Sequence, residues 1–321
     1  MKPDYPPLDR GYMRQRLLEM LAIPSPTGFT DEISRYVCRE LEQLGVDHAL
    51  TRRGTIIAHV PGSDHEQSRA VVNHLDTIGA VVTDLKENGR LGLTPVGTWS
   101  SRFAEGGRVT VFTRNRAYRG QVLPLLASGH AFNKKIDSLP VSWEQVEVRL
   151  DEHCKDQIAL DELGFRSGDF VAFDANPEVS ESGFISSRHL DNKAGASALL
   201  TAIKRIVDSA LTPTMDLTAM FTITEEVGTG ASASLPENTV EFIGIDVGPV
   251  APGQNARETG VTLCAQDTSG PFDVRLLNKL KSLCLHFNID YQVDLFRYYY
   301  SDANSAVRSG NDLRHALLTF G

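Results

Sequence analysis

Two adjacent glutamates, Glu225 and Glu226, follow the apolar run 217–223 and lead into the turn Gly228-Thr229-Gly230. The run reads as a buried strand. Carboxylates at the end of such a strand are costly unless they are paired, protonated or bound to a metal. In open α/β sheets the carboxyl ends of the strands are also where sites form. One glutamate is therefore read as a metal ligand and the other as a group that moves a proton. Neighbouring residues at a strand end point apart, so both reach one site only where the backbone turns, and Gly228 and Gly230 allow that turn. These glycines do not make a phosphate loop, because the lysine and spacing of that motif are missing.

Other acids, and one histidine, share the same placement at strand ends or helix mouths. In His74-Leu75-Asp76 the outer residues lie two apart, so they face the same way and can share a pocket. Either both bind a metal, or Asp76 holds the second ring nitrogen and fixes the tautomer. Asp191 opens a long Ala- and Leu-rich stretch and could bind metal or serve only as an N-cap. His189-Leu190-Asp191 repeats the earlier tripeptide, and His189 receives no role. Asp246, in Gly244-Ile245-Asp246-Val247-Gly248, ends a very apolar strand and needs a partner. One imidazole and three carboxylates, with one further acid, suit Zn²⁺, Co²⁺ or Mn²⁺ rather than a thiolate site. A bridging carboxylate can hold two ions ~3.5–4 Å apart.

Helices are expected over 9–22, from 30 or 31 to Gly45, and over 191–209, 271–287 and 301–310. Strands are expected over 46–51, 55–60, 70–76, 215–224, 242–247, 261–265 and 291–295. Between these lie short β-like runs with frequent turns, at 80–85, 91–96, 108–113, 122–126 and 146–150, with one short helix at 156–163. So many short strands at close spacing predict a small barrel or sandwich. The expected division is a catalytic α/β domain made of 1–77 and 184–321, interrupted by an inserted β-rich domain, 78–183.

The 321 residues are 41% hydrophobic and 23% charged, which suits a globular chain. The net charge of −9 gives no support to nucleic-acid binding. No apolar run approaches the ~20 residues of a spanning helix. The start, Met1-Lys2-Pro3-Asp4-Tyr5-Pro6-Pro7, lacks the apolar core of a leader, so a cytoplasmic location without membrane contact is expected. Cys38, Cys154, Cys264 and Cys284 form no CxxC pair and are expected to be reduced packing residues.

The order His-x-Asp, β-rich insert, Asp-Asn-Lys, Glu-Glu-Val-Gly, Asp-Val-Gly resembles the TET-type metallo-aminopeptidases, the glutamyl and deblocking enzymes of metallopeptidase family forty-two. Thr94-Pro95-Val96-Gly97-Thr98-Trp99 and Ser301-Asp302-Ala303 extend the likeness over most of the chain. The resemblance implies a three-layer α/β sandwich with a mostly parallel central sheet, interrupted by a small β-barrel that drives dimerisation, and a homodimer that assembles to a homododecamer. It implies two divalent ions per subunit, zinc or cobalt, with manganese as a further option. His74 would bind one ion and Asp191 would bridge the two. Glu226 would bind the first ion and Asp246 the second. Glu225 would be the general base and Asp76 would orient His74. A further metal-binding histidine is implied shortly after 316–321. His315 comes too early in the pattern and His286 sits in a helix, so the first-ion position is expected to be weak with these residues alone.

The expected activity is metal-dependent removal of N-terminal residues from short peptides, by a metal-activated water with Glu225 as base. The alternatives are a related zinc-dependent deacylase or carboxypeptidase, a glycoside hydrolase, and a non-catalytic assembly protein with a decayed site. Substrate-binding residues are not assigned. Specificity is expected in the loops 251–259 and 297–302 and in the insert, with Arg257 either favouring an acidic side chain or serving as a surface residue. Tyr298-Tyr299-Tyr300 is read as strand packing.

Overall fold

The computed structural model describes residues 7–209 and 211–321. Residues 1–6 of the stretch read for a leader lie outside the described residues. Two compact units are present. The larger takes the stretch ending at Ile23, Thr30–Asp76 and His189–Gly321, and the smaller takes Pro24–Phe29 and Thr77–Arg188.

The larger unit begins with α1 (Arg10–Leu21), α2 (Asp31–Gln43), β1 (Asp47–Leu50), β2 (Ile56–Val60) and β3 (Ser68–His74). The amphipathic spacing of Ile33, Val37 and Leu41 buries one face of α2. Asp31 and Glu32 in its first turn complement the helix dipole. Gly45, at φ 69°, takes the left-handed conformation just past its end, which a glycine adopts without a Cβ penalty.

The smaller unit contains β4 (Gly79–Leu85), β5 (Leu91–Val96), β6 (Arg108–Phe112), β7 (Ala117–Pro124), α3 (Gly129–Phe132), β8 (Val146–Leu150), α4 (Gln157–Glu162), β9 (Phe170–Phe173), β10 (Glu178–Val179) and β11 (Ile185–Ser186). Its first six strands close into an antiparallel barrel in the order β4-β5-β8-β7-β6-β9. The alternating pattern of β6, with Val109 and Val111 buried, points every second side chain inward. Val82, Leu91, Val122, Val148 and Val171 fill the same interior.

The larger unit resumes with α5 (Leu190–Asp208), β12 (Asp216–Thr222), β13 (Thr239–Val247), β14 (Val261–Asp267), β15 (Gly270–Pro271), α6 (Val274–Phe287), β16 (Tyr291–Leu295), α7 (Asp302–Arg308) and β17 (Arg314–Phe320). These join β1–β3 in one nine-stranded sheet, ordered β1-β2-β12-β3-β13-β17-β14-β15 with β16 beside β14. The four central strands, β12, β3, β13 and β17, run parallel, while β1, β2 and the β14–β17 and β14–β15 pairings are antiparallel. The central strands are covered on both sides, which is why they read as near-continuous apolar runs. Helices α1, α2 and α5 pack Met20, Val37, Leu41, Leu199 and Ile203 on one face, against Ala58, Ala219 and Phe221. On the opposite face Ala303 and Ala306 of α7, with loop residues Ala231, Ala256 and Phe296, cover Val72, Met220 and Phe242.

Several elements differ from expectation. Helix α6 begins at Val274, because Asp273 caps it by accepting the N–H of Leu276 at 2.9 Å, and Pro271 belongs to a short strand. Strands β9 and β17 were assigned to no element, being short apolar runs without clear alternation. The tyrosine run is a turn and irregular chain rather than a strand: Tyr298 is 97% exposed, Tyr299 packs on Phe296, and the Arg308 guanidinium lies over the Tyr300 ring at 4.8 Å. The four cysteines are free, with Cys264 and Cys284 buried.

Candidate metal centre

The parallel order places β3 between β12 and β13, so successive connections leave to opposite sides of β3. This is the switch point where an open sheet has a crevice outside its carboxyl ends. The register pairs Thr222 of β12 with His74 of β3. It also pairs Gly244 of β13 with Val72, so Asp246, two residues on, falls in the same row as His74. An imidazole, a carboxylate and the start of the Glu225–Glu226 turn are thereby brought side by side by pairing alone.

His74 is almost fully buried. Its Nδ1 lies 2.8 Å from the backbone carbonyl of Asp76. A carbonyl only accepts, so Nδ1 carries the proton and Nε2 is turned toward the acids. Nε2 is 3.0 Å from Asp191 Oδ1, and 3.7 Å from both Glu225 Oε2 and Asp246 Oδ1. Each of the triads His74–Asp191–Glu226 and His74–Glu225–Asp246 offers three ligand atoms within 4.8 Å of one another.

Asp191 is not the helix cap. Its backbone is extended at ψ 109°, regular helix starts beyond Asn192, and its carboxylate faces His74. Its Oδ1 is buried without a well-formed hydrogen bond. Asn192 donates to the Ile245 carbonyl at 2.6 Å, tying this kink to β13. A Cβ on Gly195 would come within 2.1 Å of Asn192 Oδ1, so the glycine leaves room for that side chain.

The carboxylate of Asp76 is 3.6 Å from His74 Nδ1, farther than its own carbonyl. Its two oxygens instead accept the backbone N–H groups of Glu225 at 3.2 Å and Glu226 at 3.3 Å. That pair of bonds supplies the backbone turn needed for two adjacent glutamates to address one site.

The electrostatics are those of a concentrated, buried negative charge. Burial pushes Glu226 up to about 8, with Asp191 adding repulsion. Burial likewise raises Glu225 well above the usual carboxylate range, against the pull of His74, with Asp246 and Asp302 repelling further. Burial alone would lower His74, but Asp191, Asp246 and Glu225 outweigh it and hold the imidazole well above its ordinary value. Such a cluster calls for a cation, and without a metal the proton on His74 is the nearest substitute. The donor set of one imidazole nitrogen and several carboxylate oxygens, with the buried Asp191 Oδ1 beside His74 among them, fits a divalent ion of the zinc, cobalt or manganese kind.

The remaining candidates lie elsewhere. His315 packs on Phe272 at the start of β17, and His286 is on α6 beside Phe287. Arg257 is exposed. Two residues were missed from sequence. Tyr299 donates its hydroxyl to the Val247 carbonyl at 2.8 Å, just beyond Asp246. Asp302 accepts from Thr222 and Ala231 at either end of the glutamate turn. The Ser301-Asp302-Ala303 motif was the one available signal for Asp302.

A family model described as M42 glutamyl aminopeptidase matches residues 54–321. The protein YhfE of Bacillus subtilis (strain 168), which bears an aminopeptidase name, is 36% identical over 303 residues, covering 94% of this chain and 87% of that one. Among solved structures, a TET aminopeptidase from a marine-sediment Thaumarchaeota archaeon superposes with a TM-score of 0.86 at 18% identity, covering 96% of this chain and 88% of that one. Pyrococcus horikoshii TET1 peptidase gives a TM-score of 0.82 at 24% identity, covering 96% and 90%. At these identities the structures establish the fold. Among the described residues no helix is long and apolar enough to cross a membrane.

Proposed function

The chain belongs to the M42 glutamyl aminopeptidase family and is a peptide hydrolase, and from that premise we propose that it is a metal-dependent aminopeptidase that removes N-terminal residues from short peptides. The observation that carries this reading is the convergence of Asp191, Glu225, Glu226 and Asp246 on His74 at the sheet's switch point. His74, Asp191, Glu226 and Asp246 would hold two divalent cations, zinc or cobalt or else manganese, with Asp191 between them. Bound there, the cations would polarise the scissile carbonyl and bring the pKa of a water from ~15.7 toward ~7.

Glu225 is assigned the proton transfer. Its buried carboxylate, raised well above the usual range, is a strong proton acceptor facing the His74 side of the site. It takes the proton of the attacking water and delivers it to the departing amine, a role typically worth ~10²–10⁴-fold. Asp76 orients His74 through its carbonyl and sets the glutamate turn through its carboxylate. The substrate side chain is left to the loops around the rim.

We further infer a homo-oligomeric enzyme that works in the cytoplasm without nucleic-acid or membrane partners. The inserted unit would pair two copies and the pairs would build a dodecamer. Support comes from the solved Pyrococcus horikoshii peptidase, which assembles into a tetrahedron or a large octahedral shell.

Metal analysis together with a panel of aminoacyl-anilides tests the activity. Release from at least one anilide that is abolished by chelation and restored by Zn²⁺, Co²⁺ or Mn²⁺ is expected. Purified, metal-loaded protein that releases nothing from the panel would overturn it.

A further inference from the structure

Asp302 is buried at the first position of α7, outside both ligand triads. Its Oδ2 accepts the hydroxyl of Thr222, the last residue of β12, at 2.5 Å. Its Oδ1 accepts the backbone N–H of Ala231 at 2.7 Å. Thr222 and Ala231 bracket residues 223–230, the loop that carries Glu225 and Glu226. One carboxylate thus closes the base of that loop, as Asp76 holds its apex.

The surroundings are built around this carboxylate. A Cβ at Gly230 would come within 2.1 Å of Asp302 Oδ1, so the acid occupies the volume that any larger residue at 230 would need. Ser305, one turn along α7, donates its hydroxyl back to the Asp302 carbonyl at 3.1 Å and accepts from the Ala231 N–H at 3.2 Å, reinforcing the same corner. The capping box of Ser301 and Asn304 fixes the helix start on which Asp302 sits. The loop between Thr222 and Ala231 has no strand pairing; inside it the Gly228 and Thr229 N–H groups donate to the Glu225 and Thr224 carbonyls, and these side-chain acceptors anchor that turn to the rest of the unit.

We propose that Asp302 is a positioning residue which, by clasping Thr222 and Ala231, sets the separation and direction of Glu225 and Glu226. This rests on the metallo-aminopeptidase reading for its catalytic consequence. The clasp itself concerns only this chain's own atoms. A carboxylate is suited to the task because it accepts two hydrogen bonds at once and donates none. An amide in its place can still accept from Ala231, but toward Thr222 it presents a donor, so the threonine proton must turn away, toward the Asn73 carbonyl at 3.5 Å, and the clasp loses its charge-assisted bond.

The test uses the full chain with Asp302→Asn and, as a milder second variant, Thr222→Val. Three quantities are read: kcat and KM on the best aminoacyl-anilide, Co²⁺ affinity, and amide hydrogen exchange over 223–231. For Asp302→Asn, kcat is expected to fall ~10–100-fold, the scale on which a misplacement of about 1 Å acts, with KM within about threefold. Faster exchange confined to 223–231 and weaker Co²⁺ binding are expected, with the overall fold retained by circular dichroism. Thr222→Val should move each quantity the same way by less. Wild-type kcat, Co²⁺ affinity and loop exchange in Asp302→Asn would overturn the assignment, as would losses in both variants that only track the unfolded fraction. Should the wild-type protein cleave no anilide, the proposed activity fails, and the exchange and Co²⁺ measurements still decide the role of Asp302.

Discussion

Asp76 and Glu225 lie 149 positions apart, yet the Asp76 carboxylate accepts the Glu225 backbone N–H at 3.2 Å and its second oxygen serves the next residue. Removing that carboxylate leaves two part-buried N–H groups without their acceptor. Asp76→Ala is expected to cost ~2–6 kcal/mol, at ~1–3 kcal/mol for each orphaned group. It should also lower kcat, because the glutamate turn loses its apex. Urea unfolding beside anilide kinetics checks both effects.

Glu225→Gln is expected to bind the same number of metal ions as wild type and to lose ~10²–10⁴-fold in kcat, since an amide cannot accept the proton. Metal analysis of the purified variant separates a lost base from a lost ion. Full turnover in this variant would remove Glu225 from the reaction.

Asp191 is the acid nearest to His74 Nε2, at 3.0 Å, and stands in a triad with Glu226. Asp191→Asn removes the negative charge, and one of the two ligand oxygens, at the point proposed to serve both ions. At most one ion per chain should remain after dialysis, and activity should fall at least as far as in Glu225→Gln. Two retained ions, measured by atomic absorption, would assign the shared position to another residue.

The raised pKa of Glu226 has a definite sign. In metal-free protein the folded state keeps a proton up to about 8 that the unfolded chain releases near 4.5. Folding therefore loses stability as pH rises through that window. His74, also raised, acts in the same direction, because its protonated form is the one the fold favours. Chelator-treated protein should melt at a lower temperature at pH 8 than at pH 5.5. Metal binding displaces these protons, so Co²⁺ affinity should rise with pH across the same interval. Calorimetry in two buffers of different ionisation enthalpy reads the proton release directly.

Gly195 lies in the first regular turn of α5, where alanine would normally favour the helix by about 1 kcal/mol. Here a Cβ would meet Asn192 Oδ1 at 2.1 Å and Ile245 Cγ2 at 3.1 Å. Gly195→Ala should therefore destabilise the protein, by ~1–3 kcal/mol on the scale of overpacked cores. A thermal melt at least as high as wild type would show that the Asn192 side chain can move without cost.

Much of the sheet and of the site was legible because acids interrupt apolar runs at strand ends. Glu225, Glu226 and Asp246 stood out in that way, and the strand pairing brings them beside His74. The orientation of Asp76 was harder to read. Alternation placed it near His74, but the dominant contact of its carboxylate is with a turn 149 positions later, which no local pattern encodes. Asp302 was hidden for a similar reason: it belongs to a helix of seven residues, and its partners Thr222 and Ala231 come from another part of the chain. Strand β17 escaped notice because a buried strand shows no alternation, and only its neighbours β13 and β14 define it.

The barrel of the smaller unit has its own consequence. Closing β9 onto β4 leaves that barrel without a terminal edge strand, unlike the sheet of the larger unit, which ends in the four-residue strand β1. A partner therefore finds no end strand on the barrel to extend. Recognition on that wall falls chiefly to outward side chains, so substitutions there can retune association without touching the hydrogen-bonded frame beneath.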